Sequence, residues 1–167
     1  MIGPAPTEVV EEADYNLAVD VHMINYTLAG FIYGMTEQNH LAEIESCYAG
    51  GSEMDQEIKK AVFDFKAGGW DNIVQGCLEI LLVGFQVPQE LNTCKGMSDD
   101  LAAIESWASV FTSKTQLIST VTKHFLMHKK AITADIAELK ADFAAEEYFK
   151  TGEEIATLAT ILIGPIQ

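Results

Sequence analysis

The sequence predicts an all-α domain, an irregular bundle of about six helices. Three observations predict it. Apolar residues recur every three or four positions along most of the chain, and the alternation expected of strands is nearly absent. Glycine pairs and prolines punctuate this rhythm at intervals suited to short helices. The chain has 167 residues, 49% of them hydrophobic and 21% charged, enough apolar content for one real core and too much for disorder.

After Thr7, a candidate N-cap, Leu17, Val21, Ile24, Leu28, Phe31 and Met35 form one seam on a long first helix. Gly30 and Gly34 near its end either weaken it or let another backbone approach closely. Thr36 or Asn39 starts a short helix through Leu41 and Ile44 to Cys47, and Gly50-Gly51 stops it. Ser52 with Asp55 resembles a capping start for the stripe Met54, Ile58, Val62 and Phe65, which Gly68-Gly69 ends. Asp71 then caps a helix over about 72–85 that is apolar almost all round, and Val87-Pro88 breaks it. Such a helix belongs in the centre of a bundle or in an interface. A short turn carries Leu91 to Cys94. Ser98 caps the stripe Leu101, Ile104, Ala108 and Phe111, with Asp99 and Asp100 favoured by the dipole of its first turn.

Between Ser113 and Gly152 no glycine or proline intervenes, and Ile118, Val121, Phe125, Ile132, Ile136, Leu139 and Phe143 predict one long, kinked helix. A last helix through Tyr148, Ile155, Leu158 and Leu162 ends at Gly164-Pro165. The segment Glu57 to Trp70 aligns without gaps to Asp135 to Tyr148, which suggests a duplicated helical hairpin with Phe65/Phe143 and Trp70/Tyr148 as matching core anchors. Residues 1–7 read as an extended arm, 8–164 as one domain and 165–167 as a tail.

Ten lysines and no arginine face 25 acids, a formal net charge of −15. The chain lacks the forked donor that reads phosphate and guanine, and like charge repels it from polyanions, so nucleic acid is excluded as a partner and anionic membrane surfaces with it. The longest apolar run, Ile80 to Phe85, is far too short to span a bilayer. The first residues lack the basic start and apolar core of a signal peptide, so the chain reads as cytosolic or as a mature, trimmed form. The triplet Asn25-Tyr26-Thr27 fits a glycosylation sequon and leans toward the secretory route. Cys77 lies in the apolar helix and reads as a buried, inert thiol. Cys47 and Cys94 sit near helix ends where a bridge is sterically easy, and pairing them closes a long loop.

The order Gly30-Phe31-x-x-Gly34, Cys47, Asp64-Phe65, Cys94-Lys95, Trp107 and a late acidic helix ending in Ile-Gly resembles a loose group of secreted, all-helical, two-cysteine proteins of ciliates and other protists. The resemblance covers the chain from about residue 28. It implies an extracytoplasmic route and a Cys47–Cys94 disulfide, and no chemistry.

His124 and His128, four apart, share a helix face and are the one candidate for zinc or copper, but three lysines surround them and no carboxylate does, so no metal is expected. The acidic clusters around Glu8–Asp14 and Asp142–Glu154 lack a calcium loop. No nucleophile elbow or phosphate loop is present, and neither an enzymatic activity nor a cofactor is expected. What remains is apolar excess, in 73–85 and in 155–163. It points first to a secreted structural protein that assembles with copies of itself, through Ile2, Val9 and Val10 of the arm and Ile161, Ile163 and Ile166 of the tail. The alternative is a carrier of a fatty acid or similar apolar ligand among Leu81, Phe85, Phe125 and Leu162.

Overall fold

A computed structural model describes residues 20–111 and 113–166. Among the described residues it contains eight α-helices, one 3-10 turn and no strand. The helices are α1 (Val21–Thr36), α2 (Leu41–Cys47), α3 (Ser52–Ala67), α4 (Trp70–Glu90), α5 (Ser98–Ala108), α6 (Lys114–Met127), α7 (Lys129–Ala144) and α8 (Tyr148–Ile163). The all-α class is therefore as expected, with more helices than the expected six.

Ser52, Asp71 and Ser98 do not cap their helices but lie inside them, behind Gly51, Gly69 and Met97, which make no side-chain cap bond. Three further boundaries differ from the sequence reading, each for a local reason. The first described helix starts at Val21 and not at Thr7, which lies outside the described residues. Asp20 is extended, and its carboxylate accepts the Met23 amide at 2.9 Å, a side-chain N-cap. Helix α4 runs through Pro88 to Glu90, because the Leu91 amide still finds the Val87 carbonyl at 3.0 Å and carries the turn past the missing proline donor. The long helix predicted after Ser113 breaks at His128, whose backbone (φ −125°, ψ 33°) leaves the helical region with no glycine or proline to announce it. The break allows α6 and α7 both to pack on α8.

Helices α1 and α8, about 120 residues apart in sequence, run side by side and parallel. Gly30 faces Phe149 and Gly152, and Gly34 faces Ala156. A Cβ on Gly30 would overlap the Phe149 carbonyl, and one on Gly152 would overlap the Thr27 carbonyl. Here the glycines serve close backbone approach, the second of the two roles the sequence left open. Helix α4 occupies the centre, packed against α3, α5, α6 and α8. Its Cys77, Ile80, Leu81, Val83 and Val87 are fully buried, and only Leu82 of its apolar stretch is substantially exposed. The apolar excess of this segment is thus absorbed inside the chain. Burial pushes the Cys77 thiol up to about 12, which keeps it protonated and inert. Glu79 is the polar exception in α4. It is buried, takes Lys60 at 3.2 Å from α3 and accepts from Gln75, and so ties the α3–α4 seam.

Cys47 and Cys94 form a disulfide with a Cα–Cα separation of 5.4 Å, joining the end of α2 to the turn after α4. The two aligned segments both form helix–turn–helix units, with a left-handed residue at the matched turn position (Gly68 φ 73°, Glu146 φ 61°). The proposed anchors diverge, however. Tyr148 is 9% exposed whereas Trp70 is 46% exposed, because α4 starts at the surface beside α6 and α7. Trp70 is therefore not a core anchor.

Acidic side chains gather where α7 meets α8. Glu154 is pushed up to about 7, first by burial and then by Asp135, Glu138, Asp142 and Glu153. The folded chain thus holds a proton that the unfolded chain releases above the ordinary carboxylate range. Its stabilising effect is complete below about pH 4.5 and is lost as pH rises through about 7. Urea titrations at pH 5 and pH 8 test this. Wild type should lose about 1–2 kcal/mol more than Glu154→Gln across that interval, after allowance for solvent screening of a half-buried group. Equal losses in the two proteins would remove Glu154 as the cause.

Candidate functional site: a lysine-rimmed apolar groove

An aromatic that the core left out, Trp70, marks the site. After Ala67, Gly68 and Gly69 both take positive φ (73° and 86°) and turn the chain so that α4 begins with Trp70 at the surface. Trp70 meets Phe125, from the last turn of α6, edge to face at 5.1 Å between ring centroids. Ile73, one turn on in α4, continues the same wall. The floor is one face of α7, where Lys129, Thr133, Ile136, Ala137 and Lys140 recur at helical spacing. These residues enclose an open groove of about 380 Å³. That volume lies within the range of small-ligand pockets.

The chemistry of the lining is amphipathic. Trp70, Ile73, Phe125 and Ile136 supply apolar area, the Thr133 hydroxyl and the Trp70 indole N–H are the neutral polar groups, and Lys129 and Lys140 stand at either end of the α7 face. Neither lysine is paired with a carboxylate among the described residues. On a chain of net charge −15, two unpaired ammonium groups beside an apolar slot form a local electrostatic exception.

Of the four residues expected to hold an apolar ligand, Phe125 lines this groove. Leu81 and Leu162 are fully buried in the main core, and Phe85 belongs to a separate aromatic group with Trp107 (5.4 Å) and Phe111 (6.5 Å). The sequence reading missed Trp70, Ile73, Lys129 and Lys140 as a set, since they come from different helices. The legible signal was a tryptophan placed directly after a glycine pair.

The other expected sites are placed as follows. His124 and His128 have ring centroids 6.3 Å apart, and His124 Nδ1 lies 2.6 Å from the Leu162 carbonyl. A carbonyl only accepts, so that nitrogen carries the hydrogen and the ring ties α6 to the end of α8. Among the described residues no three His, Cys, Asp or Glu side chains converge as a metal site. Asn25 is 6% exposed within α1, and its Oδ1 is buried without a partner, so the folded chain offers no room for a glycan there. Ile161, Ile163 and Ile166 are half-buried against the chain's own core, and the tail is held by Trp107, whose indole N–H donates to the Gly164 carbonyl at 2.8 Å. Ile2, Val9 and Val10 lie outside the described residues. No helix of the described residues is long and apolar enough to cross a membrane.

No protein-family model, curated protein or solved structure matches this chain.

Proposed function

We propose that this protein is a non-enzymatic carrier of a single-chain fatty acid anion, working in an oxidising, extracytoplasmic compartment. The observation that carries this reading is one groove in which the exposed Trp70 ring, backed by the buried Phe125, lies beside two lysines that pair with no carboxylate among the described residues. An alkyl chain laid along Trp70 and Ile73, over the buried Phe125 and Ile136, removes apolar area from water at both partners. Its carboxylate reaches Lys129 or Lys140 without leaving solvent, so no buried charge has to be desolvated. The Cys47–Cys94 disulfide supports the compartment, because such bridges persist where thiols are oxidised.

The test uses Trp70 as reporter, since the chain has two tryptophans and Trp107 is only 7% exposed. Titration with a dibrominated stearate should quench the emission saturably in wild type and leave Trp70→Phe unquenched. Reversing both lysines (Lys129→Glu with Lys140→Glu) should weaken apparent affinity about tenfold, and raised salt should act in the same direction. The methyl ester of the same lipid should bind more weakly than the acid. Quenching that never saturates, or is equal for acid and ester, rejects the assignment.

A further inference from the structure

Helix α7 carries its charges against its own dipole. Lys129 and Lys130 occupy its first turn, where no acid is present, and no basic residue occupies its last turn. The α7–α8 turn that follows carries Glu146 and Glu147. A helix favours the reverse order at both ends, so this segregation does not serve the stability of α7. Each end of the helix also presents an apolar feature of opposite shape.

At the basic end the α6–α7 elbow projects Leu126 and Met127, each 62% exposed, among the exposed Lys123, Lys129 and Lys130. None of these lysines pairs with a carboxylate among the described residues. At the acidic end, about 24 Å away along a helix of 16 residues, His22, Tyr26, Tyr148 and Phe149 wall a dent of about 290 Å³ rimmed by Glu146 and Glu147. Lys150 pairs with Glu147 at 3.2 Å, and among the described residues no cation pairs with Glu146. Burial first, then the charges of Glu146 and Asp20, hold the Tyr148 hydroxyl above the ordinary tyrosine range.

We infer that the elbow of one molecule docks into the α7–α8 dent of a second copy, an apolar knob with a lysine collar entering an aromatic socket with a glutamate rim. The two surfaces are different patches of one chain and lie at opposite ends of α7. The contact is therefore heterologous, and its repetition builds a linear or ring-shaped array rather than a closed two-fold dimer. This route to self-association uses neither the tail isoleucines, which pack on their own core, nor the arm. It shares only Lys129 with the fatty-acid groove, and the positions changed in its test, Leu126, Met127, Glu146 and Glu147, do not line that groove.

Two variants of the full chain test it by sedimentation. Leu126→Asp with Met127→Asp removes the knob, and Glu146→Lys with Glu147→Lys inverts the socket rim; circular dichroism checks that both stay helical. Wild type should form a concentration-dependent series of multiples of the 18.3 kDa chain, dissociating as salt rises. Each variant alone should sediment as a monomer. Mixed one to one, they retain one intact socket and one intact knob between them, and should form dimers that grow no further. Wild type that stays monomeric at every concentration, assembly that survives either variant, or a mixture that remains monomeric overturns the proposal.

Discussion

Gly30→Ala and Gly152→Ala should each cost roughly 3–5 kcal/mol or prevent folding, the largest single-residue effects expected in this chain. In an ordinary exposed helix the same change stabilises, because alanine is the better helix former by about 1 kcal/mol. The sign reverses here because the added methyl on either residue would overlap a backbone carbonyl of the facing helix. A flexible side chain could rotate away, but a carbonyl belongs to a hydrogen-bonded helix and moves only with it. Relief therefore requires α1 and α8 to separate along their whole contact, which unpacks Leu28, Phe31, Ile155 and Leu158 together. Gly34→Ala should cost less, since the atom it meets is the Ala156 methyl at 2.5 Å. Urea midpoints of the three variants check the ranking. A stable Gly152→Ala protein would mean that the two helices do not touch as described.

Reducing the Cys47–Cys94 bridge, or replacing both cysteines by alanine, should remove about 4 kcal/mol. The bond spans 47 residues of chain, so it deletes a large share of the open conformations available to the unfolded state. The loss should appear as a shift of the denaturation midpoint in the presence of reductant, with the helical signal retained under native conditions. The segment closed by the bridge includes α3 and α4, and α4 is the central helix, so the native contacts remain to hold the reduced chain together. In the folded state Cys77 should not interfere by exchange, because it is fully buried and its thiol is held protonated; a Cys77→Ala background keeps it from exchanging once the chain unfolds. A midpoint unmoved by reductant would show that the reduced chain is no more disordered when unfolded than the bridged one.

The two effects differ in how far a reader of the sequence could foresee them. The cysteine pair could be named from its position at helix ends and from a resemblance, and the loop length follows by subtraction. The glycines could be named as candidates for close approach, but not paired with Gly152, because no local rule links positions 30 and 152. The groove shows the same division. Phe125 was a legible apolar residue, and Lys129, Thr133, Ile136 and Lys140 fall on one predicted helix face. Their meeting with Trp70 depends on the angle at His128 and on the two positive-φ glycines before α4.

Helical class, the stripes that became the core and the apolar, all-round character of the segment 73–85 were determined by amino-acid order alone, because periodicity and punctuation act within one or two turns. The exposed side of Trp70, the parallel α1–α8 seam and the fate of the apolar excess were decided only when helices packed. Burial is a property of the whole assembly: whether Ile163 or Trp70 stays in contact with water depends on which distant helix arrives beside it, and that is settled by shape and contact area across the molecule.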